Sequence, residues 1–167
     1  QMDTHFHFSS KNLNAIKQYL SNIKIWGEYE FAVLSDVAEL LDLGTLSRFS
    51  HKIFKTSQFR SIHALTQKAQ IKAAINLLEI FIKHKQKYLA EELIHFVSTL
   101  NIPEINLFER VNFIYQKAHF EVTFGDASAI ETMKRCQYIY ELCESYQIAQ
   151  KLEKEIKNLE AILKPKN

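Results

Sequence analysis

Glycine and proline are the scarcest residues that matter in this sequence. Its 167 residues include 3 Gly and 2 Pro, where average usage would give roughly 20 of the two together. Such a chain has few means of making tight hairpins or a glycine-rich phosphate loop. β-Sandwiches, dinucleotide-binding domains and P-loop enzymes are excluded on that ground. Cysteine is also sparse. Cys136 and Cys143 are seven positions apart, about 10 Å along a helix, too far to bridge within one chain. They read as reduced packing residues, the usage of a cytoplasmic protein. An excess of one charge is missing as well: 21 Lys+Arg face 19 Asp+Glu, a net +2, which gives no electrostatic footprint for nucleic acid. No apolar run approaches the ~18–20 residues that span a membrane; the longest, from Ala73 to Ile82, is broken by Asn76 and Glu79.

What the sequence does have is helical periodicity almost from end to end. The length fits one domain. Eight helices are expected: Ser9 or Ser10 to Ile25, Glu28 to Leu41, a short one capped by Thr45 and ending near Phe54, Ser61 to His84, Lys87 to Leu100, Ile105 to Thr123, Ala127 to Tyr146, and Ile148 to Leu163. Short links make neighbours antiparallel. Eight helices in series suit a stack of hairpins better than a four-helix bundle. Lys87 and Gly125 open successive hairpins 38 positions apart, near the ~34-residue tetratricopeptide period. The fold expected is all-α: antiparallel helical hairpins stacked as a tetratricopeptide-like right-handed superhelix over residues 10–163, with 1–9 a disordered or extraneous N-terminus and 164–167 a tail. An irregular helical bundle is the alternative.

Catalytic and metal motifs are lacking. There is no HExxH, CxxC or GxSxG, and no nucleophile–base pair follows from spacing. No enzyme, cofactor or metal site is expected. Binding surfaces are the remaining possibility. On the helix from Ile105, the residues Val111, Ile114, Tyr115, Ala118 and Val122 form a packing face, and Asn112, Gln116, His119 and Thr123 form a second, uncharged polar line. Asn and Gln both donate and accept hydrogen bonds, so they can hold the backbone of an extended peptide. Lys72, Asn76, Glu79 and Lys83 repeat the spacing on the long helix. Stacked hairpins offer a concave face for such ligands; a plain solvated face is the other reading of each line. The last helix has one narrow apolar stripe, Ile148, Leu152, Ile156, Leu159 and Leu163, as a terminal repeat should. The helix before it is apolar on two sides, and the surplus of Tyr138, Ile139, Leu142 and Tyr146 points to a homodimer unless the last helix covers it.

Ile23-Lys24-Ile25-Trp26-Gly27-Glu28-Tyr29-Glu30-Phe31 resembles the opening of the C-terminal domain in the Rgg/GadR/MutR family of Gram-positive transcription regulators. There a helix ends in Ile-x-x-Trp-Gly-x-Tyr-Glu and an apolar helix follows. The resemblance implies a tetratricopeptide-like regulatory domain that dimerises and, in several members, senses a short imported peptide pheromone, a quorum-sensing role. It also implies that DNA is contacted only through a helix-turn-helix domain, whose pattern does not precede Trp26. Peptide-responsive relatives carry a small residue, Asn, and then a basic residue one turn on. Here the positions read Ser35, Asp36 and Glu39, an acidic pair suited to a basic residue or an N-terminal amine. The peptide-binding set expected is thus Asp36, Glu39, Lys72, Asn76, Asn112, Gln116 and His119. A stand-alone helical-repeat adaptor for another protein is the alternative.

Overall fold

The computed structural model describes residues 10–54 and 64–163. Among these there are eight α-helices and no strand: α1 Ser10–Asn22, α2 Glu28–Val37, α3 Leu43–Phe54, α4 Ala64–Lys83, α5 Lys87–Thr99, α6 Leu107–Phe124, α7 Ile130–Leu142 and α8 Tyr146–Leu163. Short 3-10 turns at Ala38–Leu40 and Ala127–Ala129 follow α2 and precede α7. The all-α expectation holds, and every expected helix is present. The assignments at 1–9 and 164–167, and the expected start at Ser61, lie outside the described residues.

The chain divides into two compact units between Leu77 and Leu78, within α4. In the first unit Leu20 of α1, Trp26, Phe31 and Leu34 of α2, and Leu46 and Phe49 of α3 are buried. Trp26 packs on Phe31 and Phe49, with ring centroids 5.5 and 6.0 Å away. The start of α3 corrects the sequence reading. Thr45 does not cap the helix; it lies in its first turn. Asp42 is the cap, accepting from the Thr45 amide and hydroxyl at 2.8 Å each and from Lys17 Nζ at 2.8 Å. These bonds hold its carboxyl well below the usual carboxylate range, Lys17 contributing most and Thr45 next.

In the second unit α6, α7 and α8 share one core. Val111, Tyr115, Ala118 and Val122 meet Met133, Cys136 and Tyr140, together with Ala149, Leu152 and Ile156. Burial pushes the Cys136 thiol up to about 11, as befits a packing residue. Cys143 departs from the expectation: it is free and exposed, just past the end of α7. Ile114, expected on the packing face, is also exposed.

Three helix ends in this unit share one construction. Lys85 (φ 55°), Gly125 (φ 126°) and Glu144 (φ 56°) take positive φ. The amide of the next residue then donates back to the helix: Gln86 to Phe81 O, Asp126 to Glu121 O, and Ser145 to Tyr140 O, each at 2.8 Å. This is a glycine-type C-cap in which glycine occupies one site of three.

Candidate functional site

The Trp-Gly-x-Tyr-Glu segment forms a joint between α1 and α2. Trp26 anchors it in the core. The Gly27 amide donates to Glu30 Oε2 at 2.8 Å, which satisfies one of the free donors at the start of α2. The other Glu30 oxygen accepts from Tyr19 of α1 at 2.7 Å, and this bond is the main reason that the Tyr19 hydroxyl is pushed up to about 12. Tyr19 and Tyr29 meet edge to face at 6.4 Å. Together with Ile16, Val33, Val37 and Asp36 they line a groove of about 650 Å³. Asp36 thus sits at the rim of an apolar groove, exposed, and Glu39 is exposed on the following 3-10 turn. Sequence reading found the carboxylates but missed Tyr19 and Tyr29; their signal was two tyrosines flanking the Trp-Gly break.

On α4, Lys72 is exposed and Asn76 half-buried. On α6 the polar line is not a solvated face. Gln116 and His119 are 2% and 5% exposed, while Asn112 and Thr123 are half-buried. Gln116 Oε1, His119 Nδ1 and Thr123 Oγ1 are buried without a hydrogen-bond partner. Charged groups of α4 and α8 act on this line. Tyr115 donates to Glu155 Oε2 of α8 at 2.7 Å, and the other Glu155 oxygen lies 3.9 Å from His119 Nδ1. Lys83 and Lys151 both reach Glu79. Burial pushes the His119 imidazole down; Glu155 and Glu79 oppose that and Lys83 reinforces it, and the net effect keeps it neutral to lower pH than usual. Burial tends to raise the Glu79 carboxyl, but Lys83 and Lys151 outweigh it and hold it below its usual range. Glu155 and Lys151 escaped the sequence reading because α8 looked like a stripe with an ordinary charged surface.

The second side of α7 is bare among the described residues. Tyr138 is 57% and Leu142 66% exposed, with Ile139 and Tyr146 also open, so α8 does not cover them. Ile139 also borders a groove of about 460 Å³ walled by Val97, Ile102, Leu107 and Ile114, with Arg110 at its edge. Sequence reading missed Arg110, whose only signal is a cation beside an apolar face.

The family profile of the C-terminal domain of the HTH-type transcriptional regulator Rgg matches residues 1–154. The chain belongs to this family. The Rgg C-terminal domain is part of a transcription regulator, so the chain is not an enzyme. Its fold is similar to that of the Streptococcus dysgalactiae SHP pheromone receptor Rgg2, with a TM-score of 0.78 and 18% identity over 90% of this chain and 57% of that one. A cysteine-to-serine form of the same receptor matches with a TM-score of 0.77 and 18% identity, over 89% and 55%. The chain therefore spans a little over half the length of these receptors, and at this identity the likeness is one of fold. No helix among the described residues is long and apolar enough to cross a membrane.

Proposed function

We propose that this Rgg-family chain is the ligand-sensing and dimerisation part of a cytoplasmic transcription regulator, and that it binds a short, extended, mostly apolar peptide. The observation that carries the reading is the α6 line, where Gln116 and His119 hold buried polar atoms with no partner. A buried group of that kind costs stability unless something completes it, and the backbone of an extended peptide supplies donors and acceptors at regular intervals. In the other unit, the Tyr19–Tyr29 groove with Asp36 at its rim favours an apolar segment bearing a cationic group, and Glu39 strengthens that preference. Lys72 and Asn76 are assigned to the peptide as well. Family membership favours the regulator over a stand-alone adaptor. DNA contact is assigned to a helix-turn-helix outside these residues, and dimerisation to Tyr138, Ile139, Leu142 and Tyr146, which stand open on α7 and at the start of α8.

The test is a polarisation titration with apolar peptides encoded by the source organism. Each lost hydrogen bond costs about 0.5–1.5 kcal/mol, so Asn112→Ala combined with Gln116→Ala should weaken binding by roughly tenfold. Peptides that bind the double variant as they bind the parent would remove these residues from the site.

A further inference from the structure

Lys83 Nζ lies 2.7 Å and Lys151 Nζ 3.4 Å from the same oxygen, Glu79 Oε1. Glu79 and Lys83 belong to the last turns of α4, and Lys151 to α8, so two helices far apart in sequence are joined by this contact. The join lies beside the polar line of α6: four residues on from Lys151 in α8, Glu155 accepts from Tyr115 at 2.7 Å and its other oxygen is 3.9 Å from His119 Nδ1. The two sides of this arrangement are unequal. The Lys151 side chain is 68% and that of Glu79 18% exposed, and an ion pair open to water on its lysine side is a weak contact, sensitive to salt. Gln116 Oε1 and His119 Nδ1 are buried with no partner, which is the expensive condition for a polar atom.

We propose that Lys151 and Glu79 form a clasp that closes α4 and α8 over Gln116 and His119, and that an extended peptide backbone displaces the clasp and completes those two side chains. The inference rests on the peptide reading above and adds how the site is reached. A peptide N–H donates to Gln116 Oε1, and a second meets the neutral His119 at Nδ1. The exchange trades an ion pair open to water on its lysine side for hydrogen bonds to atoms that otherwise have none. Lys83 stays on Glu79 when Lys151 leaves, so the carboxylate is never left unpaired.

Two readouts separate the clasp from its occupant. Lys151→Glu replaces attraction by repulsion, Lys151→Arg preserves the pair, and the exposure of position 151 lets both fold. The first readout needs no ligand: diethyl pyrocarbonate labelling of His119, located by peptide mass spectrometry. Opening an exposed pair changes an equilibrium by about two- to fivefold, so His119 should react about that much faster in Lys151→Glu and at the parent rate in Lys151→Arg. Salt at about 0.5 M should bring the parent towards Lys151→Glu. Equal rates in all three chains overturn the clasp. The second readout is polarisation with a labelled library of capped, mostly apolar octapeptides. Those that bind the parent should bind Lys151→Glu about two- to fivefold more tightly. Unchanged affinity beside faster labelling overturns the link between clasp and ligand. If no octapeptide binds any of the three chains, the peptide reading fails, while the labelling still decides the clasp.

Discussion

Tyr115 donates its hydroxyl to Glu155 at 2.7 Å, joining the centre of α6 to α8 across 40 residues of chain. The ring is fully buried, so the residue combines packing with a hydrogen bond to a charge. Its two contributions can be separated. Tyr115→Phe removes the bond and should cost about 1.5–3 kcal/mol, the range for hydrogen bonds to ions. Tyr115→Ala also removes the ring and should cost about 3–5 kcal/mol. Urea unfolding followed by circular dichroism measures both; an unchanged midpoint in Tyr115→Phe would mean that the hydroxyl contributes nothing.

The helix ends at Lys85 and Glu144 should be improvable. Each holds a residue with a Cβ at positive φ, a conformation that costs roughly 1–2 kcal/mol. Glycine avoids that cost but loses part of the gain through the greater freedom of its unfolded chain. Lys85→Gly and Glu144→Gly should each stabilise by about 0.5–1 kcal/mol, read as a higher urea midpoint with an unchanged slope. A lower midpoint at either position would show that its side chain matters more than its backbone.

His119 gives a signed pH dependence. Unfolded, it titrates near its ordinary value of about 6.5; folded, it titrates lower, because burial opposes its charge more than Glu155 and Glu79 favour it, with Lys83 adding to the opposition. The folded state therefore binds fewer protons between the two values. The stability linked to this group is fully present above about pH 6.5 and is lost as pH falls through the folded value. His119→Gln should narrow the drop in urea midpoint between about pH 7.5 and 5. An identical drop in both chains would place the titration elsewhere.

The open side of α7 predicts self-association. Tyr138→Glu and Leu142→Glu each set a charge in the centre of that face, and both positions are exposed enough within the chain to leave folding intact. Light scattering should give a dimer for the parent and a monomer for each variant. A parent that stays monomeric at high concentration would remove the proposal.

The helices were legible because nothing competes with 3.6-residue periodicity in a chain so poor in glycine and proline. Their joints were less so. Thr45 and Asp42 are both good capping residues, and only the Lys17 contact, 25 positions away, accompanies the choice of Asp42. Turns were hard to read for the same reason that strands were easy to exclude: Lys85 and Glu144 fill positions where glycine is the usual signal. The α6 line was found by its spacing, but its burial was not foreseeable. Burial depends on Glu79 and Glu155 arriving from other helices, and a helix in isolation cannot show which of its faces will be covered. The acidic pair at Asp36 and Glu39 was visible as charge, whereas the groove beside Asp36 exists only once Tyr19 and Tyr29 converge.

Cys136 is sealed in the core with its thiol pushed up to about 11, while Cys143 is exposed one residue beyond Leu142. The chain thus carries one reactive sulfur where α7 runs out, and the second sulfur stays silent. A thiol-directed dye would mark that single spot without any engineering. Its rate of attachment becomes a stopwatch for whatever settles against α7, slowing when the face is covered and recovering on dilution.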